Sequence, residues 1–102
     1  MKLYIVYRLD RSDGQAAAIR ARVRPAHRTY MERFSDRVRL GGPVLDADGN
    51  ACGGMMVIEA ESEDEVRRMV ADDPFEQAEL SARIDILPFR WQTNRPADLP
   101  PL

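Results

Sequence analysis

One cysteine and one histidine are all that 102 residues offer for thiol, imidazole or soft-metal chemistry. Cys52 cannot close an internal disulfide, and no histidine or second cysteine stands near it at metal-ligand spacing, so it reads as an ordinary strand or hairpin residue. Long hydrophobic runs are missing too. No stretch approaches the roughly 20 apolar residues of a membrane helix, and Met1-Lys2-Leu3-Tyr4-Ile5-Val6-Tyr7 reads as a strand rather than a signal peptide. A cytoplasmic protein with no membrane partner is expected. Positive charge is not in excess: 15 Lys and Arg face 17 Asp and Glu, for a net charge of -2. No broad positive field is left to hold phosphate backbones, which excludes nucleic acid as an expected partner. Arg20, Arg22, Arg24 and Arg28 do cluster, but no aromatic residues interleave with them, and most of the cluster reads as a solvated helical surface.

What the chain has is the pattern of one small α+β domain. Residues 3 to 9 are apolar, with β-branched and aromatic side chains, as in a strand covered on both faces. Ala16 to Val23 is helix-prone, and Pro25 predicts a hand-over to a fresh helix, since a proline fits the first helical position and disrupts an interior one. That second helix is expected to run to about Arg37. It would place His27 in its first turn, near the positive dipole end that favours neutral imidazole. His27, Tyr30, Met31, Phe34 and Val38 then share one stripe facing the core.

Val38 to Leu45 and Met55 to Ala60 form two strands joined by turn chemistry at Asp46-Ala47-Asp48-Gly49-Asn50. Ser62 and Glu65 have capping-box spacing ahead of the apolar face Val66, Met69 and Val70, and that helix should end near Ala71. Asp73-Pro74-Phe75-Glu76 predicts a short further helix with an aspartate cap and a reciprocal glutamate. A last strand spans Arg83 to Trp91. The proline-bearing segment 93–102, with Pro96, Pro100 and Pro101, reads as an extended or disordered tail after a domain over residues 1–92.

The order β-α-β-β-α-β suits a ferredoxin-like sandwich, a four-stranded antiparallel sheet with both helices on one face. Strand side chains alternate between faces, and in the first and third strands both sets are apolar. Two helices cover one face only, so a homodimer joined through the other sheet face is expected. The Asp46-to-Gly49 turn has the opening of a calcium loop, but Val57 stands where the closing glutamate is required. Neither a metal nor a cofactor is expected.

Arg24-Pro25-Ala26-His27, Gly42-Pro43, the Asp46-to-Gly49 turn, Asp72-Asp73-Pro74-Phe75 and the closing Pro88-Phe89-Arg90-Trp91 occur in an order and spacing that resemble the YciI-like (YCII-related) family. The resemblance covers residues 1 to 92. It implies a dimeric α/β barrel and a paired histidine and aspartate as the active site, here His27 and Asp73. The family includes an enzyme that eliminates chloride from a chlorinated hydroxyquinol, while most members have no assigned reaction. Phe75 departs from the tyrosine common after the Asp-Pro pair.

The expected topology sets His27 on the first helix against Asp73 at the cap of the short one. A carboxylate on Nδ1–H would fix the tautomer and raise the basicity of Nε2. Asp73 also has the purely structural task of an N-cap. Arg24, three residues before His27, is a candidate for holding a carboxylate or phenolate. Gly42 and Pro43 are candidates for the pocket wall, with Phe75 beside them. The expected function is that of a small-molecule enzyme in which His27 and Asp73 act as a general acid/base pair, in proton abstraction or elimination on a phenolic or enolisable compound. The alternatives are a non-catalytic metabolite-binding or interaction module on the same fold, and a haem-binding oxygenase with His27 as axial ligand.

Overall fold

Alternating apolar residues build the sheet, and the periodicity-3.6 stripes of the helices cover one side of it. The computed structural model describes residues 1–99, and Pro100 and Pro101 of the tail lie outside them. The elements are β1 (Lys2–Asp10), α1 (Ala16–Glu32), β2 (Val38–Leu45), β3 (Ala51–Ala60), α2 (Glu63–Asp72), α3 (Pro74–Gln77) and β4 (Ser81–Phe89). All strand pairs are antiparallel, in the order β2-β3-β1-β4. This is the ferredoxin-like arrangement anticipated from the sequence.

Register explains which face is the core. Val6 pairs with Met56 and Ile86, and Tyr4 with Ile58; all five are buried together with Ala60, and Val66, Met69 and Val70 of α2 close over them. Tyr30, Met31, Phe34 and Val38, the predicted stripe, pack against the same cluster. Each large side chain withdrawn from water here is worth about 1.5–3 kcal/mol. The second set of β1 faces outward: Ile5 pairs with Val57 and Leu87, Leu3 with Glu59 and Phe89, and Tyr7 with Met55 and Asp85. On that outer face Leu40 and Leu87 remain 40% and 53% exposed.

Pro25 does not divide α1. The helix runs unbroken through it from Ala16 to Glu32, because Ala16, Ile19, Val23, His27, Tyr30 and Phe34 keep one stripe at three- and four-residue steps across the proline. Pro25 lies on the exposed side, as does Ala21, whose carbonyl loses its helical donor where the helix faces solvent. His27 is therefore well inside a helix of 17 residues, and the dipole argument for its neutral form does not apply. The helix also stops short of Arg37, as the Phe34 carbonyl accepts the Arg37 and Val38 N–H groups in the turn to β2.

Ser62 caps α2 as expected, accepting the Glu65 N–H at 3.2 Å. Glu65 does not return the bond, and its carboxylate pairs with Arg37 instead. The Asp46 turn is self-contained: Oδ1 accepts the Asp48 and Asn50 N–H groups, and Gly49 takes φ 84°, a conformation costly to residues with a Cβ. The described part of the tail is neither extended nor detached. Leu99 is buried, and Asp98 pairs with Arg39 at 2.6 Å.

At Gly53, β3 approaches β1 so closely that a Cβ would lie 2.3 Å from the Arg8 carbonyl oxygen, whereas at Gly42 nothing stands within 4 Å. Gly53→Ala should lower the urea-unfolding free energy by about 1–3 kcal/mol, and Gly42→Ala should stay within about 0.5 kcal/mol of the parent. Equal effects at the two positions would contradict the register described.

Candidate functional site

Asp73 is the one buried charged residue among the described residues, fully withdrawn from solvent. Its place between α2 and α3 follows from its backbone: extended, at φ −62° and ψ 130°, it ends one helix and caps the next. Oδ1 accepts the Phe75 N–H at 2.9 Å. Oδ2 accepts from Arg8 Nη1 at 3.0 Å, and the same nitrogen donates to Glu76 Oε2 at 2.8 Å. His27 Nδ1 lies 2.8 Å from Oδ1 and 3.0 Å from Oδ2. The sequence therefore placed His27 and Asp73 in reach of one another, and they are in contact.

Burial pushes the Asp73 carboxyl up, but the His27 hydrogen bond, the Arg8 charge and the Phe75 N–H together outweigh it and hold its pKa below the ordinary carboxylate value. An ionised carboxylate only accepts, so the proton in the contact belongs to His27 Nδ1. When the ring is neutral, that tautomer puts the free lone pair on Nε2. Phe75 stacks against the imidazole, with centroids 4.1 Å apart and planes 21° from parallel. The ring is thus fixed on one edge by charge and on one face by an apolar plate.

A cavity of about 530 Å³ opens between α1 and the β1-β2-β3 part of the sheet, within the size range of small-molecule sites. His27, Arg24, Phe75, Gly42 and Pro43 all line it; Asp73 stands behind His27. Gly41, Gly42, Gly53 and Gly54 form a floor almost without side chains. A Cβ on Gly54 would meet only the Gly42 carbonyl oxygen, at 3.9 Å. A smaller cavity of about 230 Å³, between the end of α1 and α2, does not reach His27.

Several lining residues escaped the sequence reading. Arg8 sits on the core-facing side of β1 after Tyr4 and Val6, where a charge demands a buried partner; that alternation was the available signal. Glu76, expected as a reciprocal cap, instead accepts from Arg8 and from Ser81 Oγ at 2.7 Å. Most of the arginine cluster is solvated as expected, with Arg22, Arg24 and Arg28 exposed, and Arg20 is the exception. Arg20 pairs with both Asp10 oxygens at 2.7 and 2.8 Å and reaches the Gly53 carbonyl at 3.0 Å, and Arg24 and Arg28 line the cavity. Among the described residues, no three of His, Cys, Asp and Glu are grouped so as to hold a metal ion, and no helix is long and apolar enough to cross a membrane.

A four-stranded antiparallel sheet with its helices on one face and a cavity beneath the first helix defines an α+β domain of the ferredoxin-like, dimeric α/β-barrel class. The YCII-related domain model matches residues 3–90, and the chain belongs to that family. It is similar to 5-chloro-2-hydroxyhydroquinone dehydrochlorinase (TftG) of Burkholderia phenoliruptrix AC1100, solved in complex with 2,5-dihydroxybenzoquinone, at 36% identity and TM-score 0.77, covering 88% of this chain and 93% of that one. A NIPSNAP domain protein of Burkholderia xenovorans shares the fold at 10% identity and TM-score 0.55, over 94% of this chain and 99% of its own. An Agrobacterium tumefaciens protein does so at 13% and 0.56, over 92% and 97%. No protein of curated function matches the chain.

The lowered Asp73 pKa gives a signed expectation. Its stabilising contribution is full above the unfolded aspartate value of about 3.9 and is lost as pH falls through the lower folded value. Asp73→Asn retains a good cap but not the charge, so the parent should be the more stable near neutrality and its advantage should vanish in acid. Asp73→Ala removes the cap of the Phe75 N–H as well, while Arg8 keeps Glu76, and should cost about 1–2 kcal/mol more than Asp73→Asn at neutral pH. Urea titrations across the acid range measure both; a parent-to-Asn difference independent of pH would contradict an ionised Asp73.

Proposed function

We propose that this protein is a small-molecule enzyme in which His27 Nε2 moves protons on a phenolic or enolic substrate, with Asp73 orienting the ring. The observation that carries the reading is the His27 Nδ1–Asp73 contact of 2.8 Å at the wall of the cavity. A general base needs a lone pair, a fixed tautomer and access to substrate. Asp73 supplies the first two by holding the proton on Nδ1, and the cavity supplies the third.

Similarity to TftG makes elimination of hydrogen chloride from a chlorinated polyhydroxybenzene the reaction to test. The pair is suited to it without a nucleophile. Nε2 takes the proton of one ring hydroxyl and returns it to the chlorine-bearing carbon, which becomes tetrahedral as the oxygen becomes a carbonyl. Nε2 then accepts the proton of the hydroxyl opposite; that O–H electron pair forms a second carbonyl, the ring double bonds shift, and chloride leaves with the C–Cl pair. The net change is loss of HCl and formation of a quinone. Asp73 stays ionised throughout and offsets the transient imidazolium.

The pair acts within a homodimer formed through the outer sheet face. What supports this is the uncovered apolar surface around Leu40, Leu87, Leu3 and Ile5, opposite the face that the helices cover.

Chloride release from 5-chloro-2-hydroxyhydroquinone is expected from the parent, with His27→Gln slower by about 10²–10⁴-fold when both are assayed folded, well below their melting temperatures. Full activity in His27→Gln would overturn the reading, and tight binding without turnover by the parent would favour the non-catalytic metabolite-binding module. Leu87→Asp should shift sedimentation from dimer to monomer; an unaltered dimer would place the interface elsewhere.

A further inference from the structure

The charges around the cavity are sorted by depth. Inside, Arg8 is shared between Asp73 and Glu76, and Arg20 is held by Asp10. These two guanidinium groups face three carboxylates, so the interior beside His27 carries no surplus cation. On the rim the balance reverses. Arg24 and Arg28 line the cavity, and neither has an ion-pair or hydrogen-bond partner among the described residues.

Their position is costly for the helix alone. Arg20, Arg24 and Arg28 follow one another at four-residue steps, a like-charge ladder that disfavours an isolated helix by a few tenths of a kcal/mol per pair. Glu32, one turn beyond Arg28, does not neutralise it by an ion pair. Arg22 of the same helix does not line the cavity, so a solvated arginine face would have been available without loading the cavity side. Arg24, His27, Arg28 and Met31 share that side at three- and four-residue spacing. Two unneutralised guanidinium groups therefore flank the imidazole along the helix. The glycine floor opposite leaves open the space between them and the sheet.

We propose that, among the phenolic and enolic compounds this cavity admits, it prefers carboxylic acids, the reacting hydroxyl directed to His27 and the carboxylate held at the mouth by Arg24 and Arg28. The inference rests on the reading of the cavity as a small-molecule site and narrows the class of molecule admitted. Guanidinium groups suit a carboxylate because their N–H donors match its two oxygens. The paired interior gives such an anion no counter-charge at depth, so the acid group is retained at the rim while the ring passes inward. The cavity of about 530 Å³ leaves room for a ring and a substituent arm.

The probes are 2,5-dihydroxybenzoate and its neutral methyl ester, titrated calorimetrically into the parent, His27→Gln and the double variant Arg24→Gln/Arg28→Gln. Both arginines are exposed and unpaired, so the double variant should keep the parent melting temperature. The acid should bind the parent at least tenfold more tightly than the ester, less so in high salt, and the preference should fall to within twofold in the double variant. In His27→Gln the preference should persist, which separates this proposal from the catalytic one: lost turnover with retained acid preference supports carboxylate recognition alone. Equal binding of acid and ester by the parent, a preference that survives the double substitution, or no binding of either probe at 10 mM-scale concentrations would overturn it.

Discussion

A single buried carboxylate organises the protein. Asp73 ties together three parts of the chain that are distant in sequence: β1 through Arg8, α1 through His27 and the start of α3 through the Phe75 N–H. A buried carboxylate is tolerable only when its oxygens are occupied, and here both are. The same satisfaction keeps it ionised, which decides where the histidine proton sits. Stability and chemistry are therefore properties of one group of hydrogen bonds. A change that loosens the α2–α3 junction will be felt at the imidazole, although no residue of that junction except Phe75 touches the ring face.

Much of this was legible in the sequence because the local signals agree with the global fold. Strand alternation, the glycine-bearing turn and the Ser62 and Asp73 caps all act over a few residues, and the β-α-β-β-α-β order limits their arrangement. The meeting of His27 with Asp73 was also foreseeable, since topology sets α1 beside the short helix. What escaped were cases where tertiary packing outweighs a local rule. Pro25 carries a strong helix-start signal, yet an apolar stripe that continues on both sides of it, with the ring turned to water, makes one long helix the better solution. Arg8 was hidden by its apolar surroundings in β1, although a charge at a core-facing strand position is itself a sign of a buried network. The arginines of α1 could not be divided into paired, rim and surface residues without knowing which way each points.

The two faces of the sheet have different duties. The inner face carries the core and, where side chains shrink to glycine, the cavity. The outer face keeps exposed leucines and receives Asp98 of the tail on Arg39, beside Glu59. An assembly contact on the outer side would lie across the sheet from the His27 ring rather than over the cavity mouth, so association and ligand entry would not compete for the same surface.

The glycine floor has a consequence for how such a protein changes over generations. Gly54, opposite Arg8 on the inner face, could accept a side chain with nothing nearer than the Gly42 carbonyl oxygen at 3.9 Å, while the histidine and its aspartate are fixed by β1, α1 and the α2–α3 junction. The histidine–aspartate contact and the cavity floor thus reside on separate pieces of chain. A single added side chain at Gly54 can redraw the shape of the molecule admitted and leave the His27–Asp73 contact as it was, so relatives with the same histidine and aspartate need not share a ligand.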